Sequence, residues 1–228
     1  MDTQLMTLIV TAATLGTLHT LMGPDHYIPF VAISKARNWK VGRTVAITIL
    51  CGLGHVLSSV VIGAIGILAG SALKHLVSIE SMRGEIAAWL LTAFGLVYMI
   101  WGLRAAARNH IHSHSHHHGH EHVHDHDHEH EHENKTSLTP WVLFIVFVFG
   151  PCEPLIPLLM YPAALQTSWS VVAVAGVFGV CTISTMLVSV LLLRYGISML
   201  PMAKLHRYSH ALAGASIFIC GLLIHMGL

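Results

Sequence analysis

The sequence predicts an all-α integral membrane protein with six transmembrane helices, arranged as two inverted three-helix repeats in which helices 1 and 4 are broken. Of its 228 residues 54% are apolar and 10% charged, and the mean hydropathy is +0.66. This composition excludes an ordinary soluble domain. Several apolar stretches exceed the about 20 residues that a helix needs to cross a bilayer. Two of these stretches contain Gly-Pro, at residues 23–24 and 150–151.

Six apolar segments predict the spans, at residues 4–33, 44–72, 86–107, 139–162, 168–193 and 207–227. We expect the first and fourth helices to be broken because proline lacks an N–H donor and disfavours helix at the residue before it. The chain accordingly divides into a first three-helix repeat (1–109), a His-rich disordered cytoplasmic loop (110–138) and a second three-helix repeat (139–228).

Lysine and arginine are concentrated on one predicted side of the membrane. Residues 35–43, between spans one and two, hold four of them, whereas only Lys74 and Arg83 fall on the opposite side. Because cytoplasmic loops of membrane proteins are enriched in these residues, we expect both termini outside and the loop between spans three and four inside. The predicted location is a cell membrane of the bacterial inner-membrane type.

The first span carries His19, Asp25 and His26 around the break at Pro24. An ionisable side chain at membrane depth costs roughly 2.5 kcal/mol or more, so it usually faces a cavity, a partner or an ion. His19 and His26 are two helical turns apart, on one face of an ideal helix. Neutral imidazole with carboxylate is ligand chemistry for nickel, cobalt or zinc. The alternative is a kinked helix whose histidines bond to neighbouring helices.

The second span places His55 among small residues, next to Gly54 and shortly before Ser58 and Ser59. Two interpretations of this histidine stay open. It is either a third nitrogen ligand of the same ion or a hydrogen-bond donor to a neighbouring helix.

Span four repeats the motif of span one. Residues 23–26, Gly-Pro-Asp-His, align with residues 150–153, Gly-Pro-Cys-Glu, and a further proline follows each at nearly the same distance. In inverted-repeat transporters, two broken helices meet near the bilayer midplane and form the substrate site. Cys152 and Glu153 are therefore further candidate metal ligands.

A low-complexity segment separates the two halves, and it cannot pack a core. Imidazoles interleaved with carboxylates would capture transition metals at many weak, exchangeable sites. Its thirteen candidate ligands are His110, His112, His114, His116, His117, His118, His120, His122, His124, His126, His128, His130 and His132.

At His19, Asp25, His26 and His55 the chain resembles the nickel/cobalt transporter families, particularly the NicO-type six-span proteins of the LysE-like superfamily. Their permeases carry a His and an Asp-His pair on an early helix, followed by a Gly-His or Thr-His motif on the next. Pro151-Cys152 looks like the Pro-Cys of NicO-type exporters, which also often have a His-rich loop between spans three and four. The resemblance implies that these residues are the ligands of transported nickel or cobalt.

We therefore expect a secondary transporter of divalent transition-metal ions, Ni²⁺ or Co²⁺ with Zn²⁺ also accommodated, with export slightly favoured because the His-rich loop faces the cytosol. The protein is not expected to be an enzyme or to hold a permanent cofactor. No P-loop occurs, so an ion gradient or a partner would supply the energy. The expected partners are the lipid bilayer, the metal ion and a second copy or a metallochaperone, and no nucleic acid.

Two rival functions come from other classes of protein. The first is a membrane thiol–disulfide electron carrier of the cytochrome-maturation type, whose members share the broken-helix inverted repeat. Such carriers place a cysteine at the Pro-Cys position in both halves, whereas this chain has Asp25 in one half and Cys152 in the other. The second is a membrane-anchored metal-binding accessory protein whose active part is the His-rich loop, an alternative that leaves the histidines within the membrane without a role.

Overall fold

The computed structural model of the protein describes residues 3–70, 73–108, 138–165, 168–199 and 206–226, and within these ranges every regular element is a helix. The helices are α1 (Thr3–Met22), α2 (Ile28–Ala36), α3 (Val41–Leu68), α4 (Leu73–Arg108), α5 (Leu138–Phe149), α6 (Leu155–Leu165), α7 (Ser168–Ser198) and α8 (Ser209–His225), with short 3₁₀ helices at Pro24–His26 and His206–Tyr208. The His-rich segment, 110–132, lies outside the described residues.

Four helices, α1, α3, α4 and α7, are long and apolar enough to cross a membrane. The apolar helices α5 and α8 are shorter. The prediction of an all-α, multi-pass membrane protein is confirmed. The count of six spans and their inverted repeat stay predictions.

Both Gly-Pro sequences interrupt a helix, as the sequence predicts. After α1, Gly23 has extended backbone (φ −86°, ψ 97°), and the 3₁₀ helix Pro24–His26 leads into α2. After α5, residues 150–154 are not helical, and α6 then begins. Proline causes the interruption because its nitrogen cannot donate to the carbonyl of the preceding turn. The residues after each proline therefore project from irregular backbone rather than from a helix surface.

The start of the third span differs from the prediction. We placed this span at residues 86–107 and Arg83 in an outer loop, but α4 begins at Leu73 and buries both Glu80 and Arg83. The prediction was wrong because it took each charged residue as evidence of a solvent-exposed loop. Opposite charges three residues apart on a helix lie on one face and neutralise each other.

Among the described helices, α4 and α8 share the most extensive contact, and four glycines make it possible. Gly95 and Gly102 of α4 and Gly214 and Gly221 of α8 each face the opposite helix, and a methyl group at any of the four would overlap backbone atoms there. Small residues allow such close approach where van der Waals packing holds membrane helices together. The two helices therefore form one closely packed pair.

The other contacts bring both breaks to α3. This helix packs against α5, α6 and α7, while α1 packs against α7, and α2 against α7 and α8. Two core clusters result, one containing Phe30, Cys51 and Phe147 and the other containing Val56 and Cys152. The middle of α3 consequently lies between the first break and the second.

We expect Gly95→Ala to lower the free energy of unfolding by roughly 1–3 kcal/mol, because the added methyl group forces the two backbones apart. Gly176→Ala is the matched control, since a methyl group at this helical glycine meets no atom within 4 Å. The control should be neutral or stabilising by up to about 1 kcal/mol from helix propensity. Unfolding of the purified variants in a detergent titration measures both. Equal stability of the two variants would contradict the close α4–α8 contact.

Candidate functional site

Three histidines from three elements meet beside the first break. His19 lies near the end of α1, His26 in the 3₁₀ helix that follows, and His55 in the middle of α3. The ring centroids of His19 and His26 are 4.8 Å apart, and those of His26 and His55 are 5.1 Å apart. One nitrogen of each ring lies within 4.8 Å of the other two. The break produces this cluster because irregular backbone turns His26 back toward His19.

Hydrogen bonds fix the tautomer of His55. Its Nδ1 lies 3.3 Å from the carbonyl oxygen of Phe147, and a carbonyl can only accept. The hydrogen of the neutral ring must therefore be on Nδ1, which leaves a lone pair on Nε2. Metal-binding histidines in proteins commonly donate their second nitrogen to a carbonyl or carboxylate in this way.

His26 follows the same pattern. Its Nδ1 lies 3.1 Å from the carbonyl oxygen of Gly23 and 3.2 Å from Oδ1 of Asp25, and both oxygens are acceptors. Nδ1 is therefore the donor, and Nε2 carries the lone pair. Asp25 thus orients a ring of the cluster through its other side, which is the arrangement of a carboxylate that supports a metal-bound histidine.

Two nitrogen atoms of the cluster are buried without a partner. Nε2 of His19 and Nε2 of His26 contact no hydrogen-bonding group among the described residues. Leaving a buried polar atom unsatisfied costs about 1–3 kcal/mol. Two such atoms in one cluster, each on an imidazole, indicate a site that is completed by something other than the chain.

Cys152, from the second break, lies against this cluster. Its Sγ is 3.0 Å from Nε2 of His55, and the residue is fully buried. Because Nε2 of His55 carries the lone pair, the thiol is the donor in this contact. The structure therefore brings together one residue of the second Gly-Pro motif and three histidines of the first half.

A buried ion pair on α4 lies directly behind Cys152. Arg83 and Glu80 bond to each other, and only 8% of Arg83 and 1% of Glu80 is exposed. Oε2 of Glu80 accepts the backbone N–H of Cys152 at 3.2 Å. Neither residue was predicted from the sequence as part of the site. Two opposite charges three residues apart, next to an apolar run, would have indicated a buried ion pair.

A cavity of about 640 Å³ opens beside the histidines. Its polar wall includes His19, Asp25, His26 and His55, and Glu153 and several apolar side chains complete the lining. Glu153 is exposed, so it lies on the rim of this cavity, apart from the buried cluster. Of the candidate ligands that the sequence suggested, the three histidines form one cluster, Cys152 contacts His55, and Asp25 contacts His26. The loop histidines are outside the described residues.

One family model matches the chain, over residues 9–223, and its description is "Cytochrome C biogenesis protein transmembrane region". The chain belongs to this family. Comparison with curated proteins and with solved structures gives no match. The match spans nearly all of the chain and both breaks.

The assignment to the nickel/cobalt transporters of the LysE-like superfamily is therefore wrong, and with it the prediction of a secondary nickel or cobalt transporter. Short His and Asp-His motifs beside a broken helix were not specific enough to identify the family. The match favours one of the two rival functions predicted from the sequence, the thiol–disulfide electron carrier of the cytochrome-maturation type.

Membership in the cytochrome c biogenesis family draws attention to the thiols, because it is a family of thiol–disulfide electron carriers. All four cysteines of the chain, Cys51, Cys152, Cys181 and Cys220, are free thiols in the structure. At the second break a thiol is present, whereas the first break presents Asp25 and His26. In this chain the thiol of the second break therefore meets an imidazole, that of His55.

We expect Arg83→Gln to lower the free energy of unfolding by roughly 3–5 kcal/mol, because it leaves the Glu80 carboxylate buried without its counter-charge. The double variant Glu80→Gln/Arg83→Met removes both charges and should be the more stable of the two. Detergent-titrated unfolding of both proteins measures the difference. A single variant as stable as the native protein would show that the pair is not buried.

Proposed function

We propose that the protein is a metal-binding accessory protein of the cytochrome c biogenesis family that holds one transition-metal ion within the membrane. His19, His26 and His55 would supply three nitrogen ligands, and Cys152 the fourth ligand. The observation that carries the proposal is the cluster of three imidazoles in which two buried Nε2 atoms have no partner among the described residues. A bound ion would satisfy both atoms at once.

The spacing of the ligand atoms suits this assignment. A metal that binds nitrogen at about 2.0–2.1 Å holds two nitrogens no more than about 4.2 Å apart. In a tetrahedral set such nitrogens lie about 3.3 Å apart. The three nitrogens lie within 4.8 Å of one another, so each pair would have to close by up to about 1.5 Å, shared between the two side chains. Nδ1 of His26 and Nδ1 of His55 already donate to oxygen atoms, which leaves the Nε2 lone pairs for the ion.

The ligand types point to Zn²⁺ or Cu⁺. Thiolate ligands favour these ions, and three imidazoles with one thiolate complete a tetrahedral set. On binding, the Cys152 thiol would lose its proton to the cavity, and the sulfur would move from hydrogen bonding with His55 to coordination. Asp25 would stay outside the ligand set and keep His26 oriented. The proposal assigns binding and no catalytic step.

We place this site between two inverted repeats, 1–109 and 139–228, with six spans, both termini outside and residues 110–138 in the cytoplasm. The packing pattern supports the repeat. The first broken helix (α1 with α2) packs through α1 on α7, and the second (α5 with α6) packs on α3, while α4 packs on α8. A two-fold relation that exchanges the halves turns the first contact into the second and α4–α8 into itself. The loop histidines would raise the local metal concentration near the site.

We expect His26→Ala to weaken zinc binding by more than the about 10–100-fold that loss of an outer-shell partner costs, because it removes a ligand itself. The measurement is a zinc competition titration in a full-length background whose thirteen loop histidines are replaced by asparagine. His75→Ala, an exposed histidine outside the cluster, is the matched control and should bind as the parent does. Parent protein that binds no zinc, or His26→Ala with unchanged affinity, would refute the proposed site.

A second candidate function is thiol–disulfide electron transfer, which the family match favours. The Cys152 thiolate would attack a disulfide of a partner protein, form a mixed disulfide and release one partner sulfur as a thiol. A thiol of a second, reduced protein would then attack the first partner's sulfur in the mixed disulfide and release Cys152 as a thiol. The other thiol of that second protein would displace the first partner and complete a disulfide, so that two electrons pass from the second protein to the first. Full burial of Cys152 opposes this exchange in the described conformation.

Metal binding and electron transfer predict different behaviour of Cys152. If the metal function holds, maleimide labelling of Cys152 in membranes should be slowed by prior zinc loading and unchanged by a chemical reductant. A Cys152→Ser protein identifies the Cys152 label among the four thiols. Labelling that appears only after reduction, with an adduct to another protein before it, would favour the electron carrier instead.

A further inference from the structure

We propose that the buried ion pair of Glu80 and Arg83 positions Cys152 and thereby determines which metal ion the site selects. The inference rests on the proposed function, because it concerns the fourth ligand of that site. Glu80 and Arg83 are positioning residues: they act on the backbone that carries the thiol and supply no ligand atom themselves.

The ion pair bonds to the backbone on both sides of the second break. The backbone N–H of Cys152 donates to Oε2 of Glu80 at 3.2 Å and to Oγ of Ser59 at 3.3 Å. Nη2 of Arg83 donates to the carbonyl oxygen of Val148 at 2.7 Å. Glu80 thus accepts a hydrogen bond from a backbone N–H at the interruption, and Arg83 donates one to a backbone carbonyl there.

The same pair is tied to α3 on the side that carries His55. Nη2 of Arg83 donates to Oγ of Ser58 at 2.7 Å, and Oγ of Ser59 donates to Oε2 of Glu80 at 3.2 Å. Ser58 and Ser59 lie one turn after His55 on the same helix. The network therefore fixes the backbone of Cys152 relative to the helix that bears His55, and these are the two residues whose side chains meet at 3.0 Å.

The first break shows that closure does not require such a pair. There the N–H of Gly23 bonds to the carbonyl of His19 at 3.1 Å, and the N–H of Tyr27 bonds to that of Pro24 at 3.3 Å. The backbone closes on itself, and no charged side chain of another helix takes part in these bonds. The second break has equivalent local bonds, from the N–H of Gly150 to the carbonyl of Val146 and from the N–H of Leu155 to that of Cys152, both at 2.9 Å. The two buried charges come in addition to these bonds, and they are costly because each must be removed from water. Charge-assisted bonds are shorter and roughly twice as strong as neutral ones, which suits a role in fixing a ligand.

The position of the thiol decides the selectivity of the site. With Cys152 held in the ligand set, the site offers three imidazoles and a thiolate, which favour Zn²⁺ and Cu⁺. With the thiol displaced, three imidazoles remain, a set that nickel and cobalt also accept. Two residues that never touch the ion would in this way exclude the harder divalent ions.

Cobalt substitution tests the inference directly. Co²⁺ bound by a thiolate has a charge-transfer absorption in the near ultraviolet, and the His-rich loop cannot contribute to it because it contains no cysteine. The full-length protein, Cys152→Ser, and Glu80→Gln/Arg83→Met are loaded with Co²⁺ in parallel, all with the thirteen loop histidines replaced by asparagine so that the ligand-field bands and the metal preference report the buried site. Glu85→Gln, an exposed acid on the same helix, is the control. The double variant is chosen because it leaves no single buried charge.

The native protein and the control should show the charge-transfer band, and Cys152→Ser should lack it. The double variant should lose most of the band and keep the visible ligand-field bands of cobalt held by the histidines. Its preference for Zn²⁺ over Ni²⁺ in competition should fall by about tenfold or more, the range typical of lost outer-shell support. A full-strength band and an unchanged preference in the double variant would overturn the inference while the proposed metal site stands. Absence of ligand-field bands from the native protein would overturn both.

Discussion

The site depends on one constraint, which is that the polar groups of an interrupted backbone must find hydrogen-bond partners where water is absent. In a bilayer, irregular backbone is tolerated only where the protein itself or a cavity satisfies its polar groups. The chain meets this requirement in two ways. At Gly23–Tyr27 the backbone closes locally, which turns His26 toward His19. At residues 150–152 it recruits Glu80 and Arg83, which bring Cys152 to His55. Each arrangement brings one side chain to the cluster, His26 at the first break and Cys152 at the second.

Much of the fold could be predicted because the relevant physics is local. Proline preceded by glycine interrupts a helix at both places where the pair occurs, although Pro157 and Pro162 lie within α6. Two helical turns bring His19 and His26 to one face before the break adjusts them. Apolar length alone predicts membrane helices. The ion pair could not be predicted in this way, because a charge count cannot distinguish a loop from a neutralised pair inside a helix. That Glu80 meets Cys152 depends on contacts between distant parts of the chain.

The family assignment failed for a related reason. The side chains of His19, Asp25 and His26 beside a break are suited to binding an ion. A Gly-Pro interruption also suits a cavity or a redox site, so it does not by itself indicate ion transport. What the sequence could not state was that side chains from the two halves meet in one cluster. The structure shows a hybrid set, with imidazoles from one half and a thiol from the other, in a family of thiol–disulfide carriers. Asp25 and His26 give the first break a chemistry different from that of Cys152 at the second break.

The glycine contacts between α4 and α8 have a mechanical consequence. Helices whose backbones touch through Gly95, Gly102, Gly214 and Gly221 cannot slide past each other without steric overlap, so they move as one rigid unit. Glu80 and Arg83 belong to this unit, whereas His19, His26 and His55 belong to the helices around it. Because the ion pair also bonds to Ser58 and Ser59 on α3, a displacement of the unit relative to His55 would break these bonds. The distance between sulfur and nitrogen at the site is therefore set by how a helix pair docks against the rest of the bundle.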